Sequence, residues 1–150
     1  MSKQYFLTLL LTCLEAGNDD LDAKGEFYGA FGYQTDGQLG WTTIVETSDS
    51  NPWTLQADSL QTVMPKTQTY LAKNKVIEVP DSATFMRISA WLKEYDPTAL
   101  NPDEDLGTQT ITLSLSKADT SGEWQEVTQG SPSIGQVNWS AQLGKSRLPI

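Results

Sequence analysis

Apolar and polar residues alternate with a period of two along several short stretches of this chain. Between Lys3 and Leu14, the residues Tyr5, Leu7, Leu9, Leu11 and Cys13 fall on one face of an extended strand, and Thr8 and Thr12 fall on the other. Phe6, Leu10 and Leu14 make that second face partly apolar, which suits a strand in the middle of a sheet. Glu26 to Tyr33 resumes the pattern with Phe27, Phe31 and Tyr33. Further along, Met86, Ile88, Ala90 and Leu92 oppose Arg87, Ser89 and Lys93, and Ile111, Leu113 and Leu115 alternate with Thr110, Thr112, Ser114 and Ser116. The last such stretch sets Val137, Trp139, Ala141 and Leu143 against Asn138, Ser140 and Gln142.

Trp41 to Val45 also reads as a strand, whereas Asn51-Pro52 and Met64-Pro65 interrupt the chain beyond it and predict a long or strand-bearing excursion between Gly40 and Gln68. No window of helical length carries apolar residues at three-and-four spacing. Short strands with one wet face, separated by Gly, Pro and Asp turns, predict an all-β antiparallel sandwich of eight to ten strands. The 150 residues fit one domain, 1–150, with no repeat, heptad, low-complexity tract or linker.

Composition narrows the chemistry. Nineteen acidic residues against ten basic ones leave a net charge of -9, which disfavours binding to a phosphate backbone and makes nucleic acid an unexpected partner. The absence of histidine removes the serine–histidine–aspartate triad and the imidazole ligands of zinc, copper and non-haem iron sites. Glycoside hydrolysis survives that test, since two carboxylates suffice, but no carboxylate is marked by an apolar setting. The expectation is a binding module and not an enzyme.

One cysteine excludes an internal disulfide, so the compartment stays open; in register with Leu9 and Leu11, Cys13 reads as a small buried hydrophobe. The leucines near the start could suggest an export signal. Thr8 and Thr12 interrupt that short apolar run and no small-residue cleavage site comes after it, so a first strand is the better reading, with no export signal or transmembrane segment. Asn138-Trp-Ser140 matches a glycosylation acceptor but falls within a strand. Trp91 and Trp139 occupy strand positions expected to be core or half-buried. Trp41, Trp53 and Trp124 lie in less regular segments, and through them a carbohydrate-binding sandwich is an alternative.

Two segments concentrate acid: Asn18 to Glu26 after the first strand, and Glu94 to Gly107 after the strand ending at Lys93. Calcium needs six to eight oxygens at short range, and loops at one end of a sandwich can supply them. The same residues also make ordinary solvated turns.

In these segments the chain resembles the C2 domain family, whose first loop carries two acidic ligands six positions apart, as Asp20 and Glu26-Phe27-Tyr28 do here. The family's other loop reads acid, any residue, acid, five residues, acid, two residues, Gly. Counted back from Gly107, those places hold Asp96, Thr98 and Glu104. Tyr95-Asp96, Leu106-Gly107 before Ile111-Thr112-Leu113, and Val76 to Pro80 followed by Met86 to Leu92 are also similar to the family. The likeness covers roughly residues 3–33 and 66–116.

The resemblance implies a C2-like calcium-binding sandwich that engages a phospholipid membrane or a protein partner through Asp20, Glu26, Asp96 and Glu104. Asp103 and Asp105 flank Glu104 as substitute ligands, and Asp19 or Asp22 could serve in the first loop. Thr98 at a bridging position, Glu for Asp at two places and Phe27 in place of a proline imply one ion rather than two or three. Lys66, Lys73 and Lys75 lie where the family often keeps a basic patch, but at about 1 kcal/mol for each lysine they do not outweigh the acidic loops unless calcium reverses their sign. The alternative is a calcium-independent structural or interaction module of a larger assembly or toxin.

Overall fold

The computed structural model describes residues 2–15, 24–56, 69–95, 103–118 and 122–145. Nine strands run through them: β1 Ser2–Glu15, β2 Lys24–Thr35, β3 Thr42–Thr47, β4 Trp53–Gln56, β5 Thr69–Pro80, β6 Phe85–Glu94, β7 Glu104–Ser114, β8 Trp124–Ser131 and β9 Gly135–Lys145. A single helical turn, α1 (Leu115–Ala118), follows β7. The strands form an antiparallel sandwich of two sheets, one ordered β5-β1-β9-β8 and the other β3-β2-β6-β7, with β4 also paired to β2.

The alternation that predicts the strands is the alternation that fills the core. Tyr5, Leu7, Leu9, Leu11 and Cys13 of β1 and Val137, Trp139, Ala141 and Leu143 of β9 are buried from one sheet. Phe27 and Phe31 of β2 and Met86, Ile88, Ala90 and Leu92 of β6 meet them from the other. β1 lies between β5 and β9, as its two-faced hydrophobicity requires. Phe31 packs edge-on against Trp139, with ring centroids 5.4 Å apart, and against Trp53 at 5.7 Å.

The strand-bearing excursion is as expected, and three local details differ. The excursion after β3 holds β4, whose Trp53 and Leu55 face the core, while residues 57–68 lie outside the described segments. Leu115 is buried as expected, but from α1 and not from an extended β7. Trp124 begins a regular strand, β8, and Trp91 points outward from β6, 41% exposed.

A buried polar bridge joins the sheets. Trp139 donates its indole N–H to Gln129 Oε1 at 2.6 Å, and Gln129 Nε2 donates to the Gly107 carbonyl at 2.8 Å. Gln129 is 2% exposed, so each group satisfied here would otherwise be stranded away from water. Replacing Gln129 with Met keeps the volume but leaves the Trp139 N–H without an acceptor, an expected loss of about 1–3 kcal/mol in urea unfolding. Against a Trp139→Phe background the same change should cost much less, because both partners are then gone; equal costs in the two backgrounds would show that the bridge does not couple them.

Candidate functional site

The antiparallel register brings the ends of β1 and β6 and the starts of β2, β7 and β9 to one end of the sandwich. Glu26 lies near the start of β2, where its carbonyl accepts the Tyr95 N–H at 2.7 Å and so ties β2 to the exit of β6. Glu94 at that exit stands directly opposite Glu104, the first residue of β7, and Lys93 stands opposite Asp105. Glu94 is 7% exposed and Glu104 is half-buried.

Backbone geometry makes room for this arrangement. Gly135 opens β9 at φ +113°, a conformation that side chains disfavour, and a Cβ there would sit 3.0 Å from Glu94 Cγ. The glutamate stem therefore tucks under the β8–β9 turn only because position 135 has no side chain. At the start of β7 the pairing with β6 slips, with Trp91 opposite Thr108 but Lys93 opposite Asp105. Two residues of β7, Leu106 and Gly107, thus face one of β6, a bulge that Gly107 accommodates at φ +85°. Asp105 accepts the Gly107 N–H at 2.8 Å and holds the bulge from the outside.

The carboxylates singled out by sequence divide into three groups. Asp20 and Asp96, with Asp19, Asp22 and Thr98, lie outside the described residues. Glu26 and Glu104 stand at the same end of the same sheet. Asp103 and Asp105 are there too, each engaged by the fold itself, Asp105 on the bulge and Asp103 as acceptor of the Tyr28 hydroxyl at 2.6 Å. Among the described residues no three carboxylate or thiol groups gather closely enough to hold a metal ion.

Two features escaped sequence reading. Glu94, treated as part of the acidic segment, has its side chain on the core side of β6, continuing the row of Met86, Ile88, Ala90 and Leu92; that parity was the available signal. Tyr28 couples to Asp103 across 75 positions, a contact that no local pattern announces.

Neither a family model nor a curated protein matches the chain. Among solved structures, the chain is similar in fold to one chain of the Cry23Aa1 and Cry37Aa1 binary protein complex, at 15% identity and a TM-score of 0.53, covering 95% of this chain and 99% of that one. A C2 domain of plant Extended Synaptotagmin 1 aligns over 97% of both chains at 6% identity and a TM-score of 0.45.

Burial, the hydrogen bond to Asp103 and the charge of that carboxylate hold the Tyr28 phenol well above its ordinary ionisation range. With the folded value raised, the stabilisation is fully present below the unfolded phenol value, about pH 10, and is lost as pH rises through the higher folded value. In an alkaline titration followed by tyrosinate absorbance, Asp103→Asn should move one phenol equivalent to lower pH than in the parent. Superimposable curves would mean that Asp103 does not hold Tyr28.

Proposed function

We propose that this chain is a binding module and not an enzyme, and that the acidic end of its sandwich takes a calcium ion through which a membrane or protein partner is engaged. The reading is carried by the cross-strand register that sets Glu94 opposite Glu104. Like charges directly opposite on a sheet repel, and a divalent cation offsets both at once. Glu26, Asp103 and Asp105 stand at the same end, and the acid-rich segments 16–23 and 96–102 leave from it. Calcium would neutralise converging charge and keep coordination positions for a phosphate or carboxylate of the partner. The absence of histidine agrees with a non-catalytic role.

A second reading rests on the full-length likeness to a chain of the Cry23Aa1 and Cry37Aa1 complex, which is a binary assembly of proteins. On that reading the sandwich serves protein assembly without calcium, and its acidic end is solvated. The warrant is fold analogy alone.

Calorimetric titration of chelator-treated protein separates the two. The first reading requires saturable heat with calcium and much less with magnesium, and stabilisation of about 2.7 kcal/mol once calcium is a hundredfold above its Kd. Asp96→Asn combined with Glu104→Gln should abolish the calcium-induced rise in Tm while leaving the metal-free fold intact or more stable. A flat trace would transfer the acidic end to the second reading, and a double variant that still responds like the parent would sink the assignment of these two ligands.

A further inference from the structure

We propose that the outer face of the β3-β2-β6-β7 sheet carries a binding site for a neutral hexopyranose ring, in the hollow between Trp41 and Trp91. The hollow is open to solvent and holds about 210 Å3. Its shape follows from β2. The outward residues of that strand shrink from Tyr28 to Ala30 to Gly32, while Phe27 and Phe31 carry the bulk of its inward face. Trp91 of β6 stands beside Ala30, and Trp41, just before β3, lies over Gly32, where a Cβ would come 3.8 Å from its Cβ and ring. β3 and β6 each lie about 4.8 Å from β2, so the indoles rise from backbones about 10 Å apart, room for one ring between them.

The lining selects the occupant. Trp41 and Trp91 are 48% and 41% exposed, a large apolar area to leave in water on the two sides of β2. One face of Trp91 lies under the Lys93 ammonium, 5.3 Å from the ring centroid, and Tyr28 braces the ring edge-on at 6.5 Å. The indole is thus held upright beside the hollow. Gly32 is flanked in register by two hydroxyls, Ser89 on β6 and Thr43 on β3, both of which line the hollow. Ser89 accepts a hydrogen bond from Thr110 at 3.1 Å, which leaves its own O–H to donate.

Aromatic walls with negative ring faces, hydroxyl partners at the floor and no charged residue in the lining suit a ligand with C–H-rich faces, a hydroxylated edge and no net charge. In a chain with 29 ionisable Asp, Glu, Lys and Arg residues, an uncharged lining argues against an anionic headgroup or a charged peptide. The volume falls below the roughly 300–1,000 Å3 of sites for drug-sized ligands, which fits a single sugar ring, terminal or within a glycan.

The test is a titration of isotope-labelled protein, in chelator, with glucose, galactose, mannose and N-acetylglucosamine, read from the indole N–H signals by nuclear magnetic resonance. At least one sugar should shift Trp41 and Trp91 saturably and leave the buried Trp139 in place. Trp41→Ala, an exposed position, should weaken binding roughly tenfold. Ala30→Leu keeps both indoles but fills the floor, and should remove the response. Silence of both indoles across the panel would overturn the proposal, as would an unchanged affinity in Ala30→Leu. Because calcium is absent throughout, neither result bears on the acidic end.

Discussion

Trp139 can occupy the middle of the sandwich only because its indole N–H finds an acceptor there. A donor buried without a partner costs a substantial fraction of the net stability of a domain this size. Gln129 meets that requirement from the neighbouring strand, and its amide then has a donor of its own to place. It places that donor on the Gly107 carbonyl, across the gap between the two sheets. Core packing is thereby transmitted to the first turn of β7, where the bulge sets Glu104 and Asp105 in their positions against β6. The acidic end is thus fixed from within, by a hydrogen bond whose purpose is to let a tryptophan be buried.

The same alternation works in opposite senses on the two central strands of the five-stranded sheet. β2 turns Phe27 and Phe31 inward and leaves Ala30 and Gly32 outside; β6 turns Met86, Ile88, Ala90 and Leu92 inward and leaves Arg87, Trp91 and Lys93 outside. In register, Phe31 meets Ala90 and Leu92 meets Gly29 on the inner face, and Trp91 meets Ala30 on the outer one, so bulk faces smallness at these pairs and the inner face interdigitates. On the outer face, where nothing packs down from above, the same complementarity leaves a hollow walled by tryptophan.

Strands with long apolar inner rows were legible. β1 and β9 bury such a row at every second position, and β6 does so from Met86 to Leu92 before Glu94 ends it; sequence periodicity reports those rows directly. β8 was not legible, because the residue it buries most deeply is Gln129, and a strand that turns a polar side chain inward carries no hydrophobic period. β4 spans four residues, Trp53–Gln56, too few to establish one. Trp91 shows the opposite failure: its parity with Arg87, Ser89 and Lys93 puts it outside, but its hydrophobicity argued for the interior. The acidic segments were legible as composition, yet the contacts that organise them, Tyr28 to Asp103 and Glu94 under Gly135, join residues far apart in sequence.

Tyr28 connects the acidic end of this sheet to its outer hollow. Its hydroxyl donates to Asp103 at the acidic end, and its ring braces Trp91 at the edge of the hollow. A phenol cannot move at one end and stay at the other, since its ring is rigid and only two side-chain torsions orient it. Any event that draws Asp103 away, such as recruitment of its carboxylate to a cation, releases the hydroxyl and with it the constraint on the Trp91 side. The coupling is reciprocal, so an occupant that fixes Trp91 also favours the Tyr28 position from which Asp103 is held. Its strength is bounded by one charge-assisted hydrogen bond and one edge-on aromatic contact, each on the order of 1 kcal/mol, which would tune the binding proposed for either region but not switch it on.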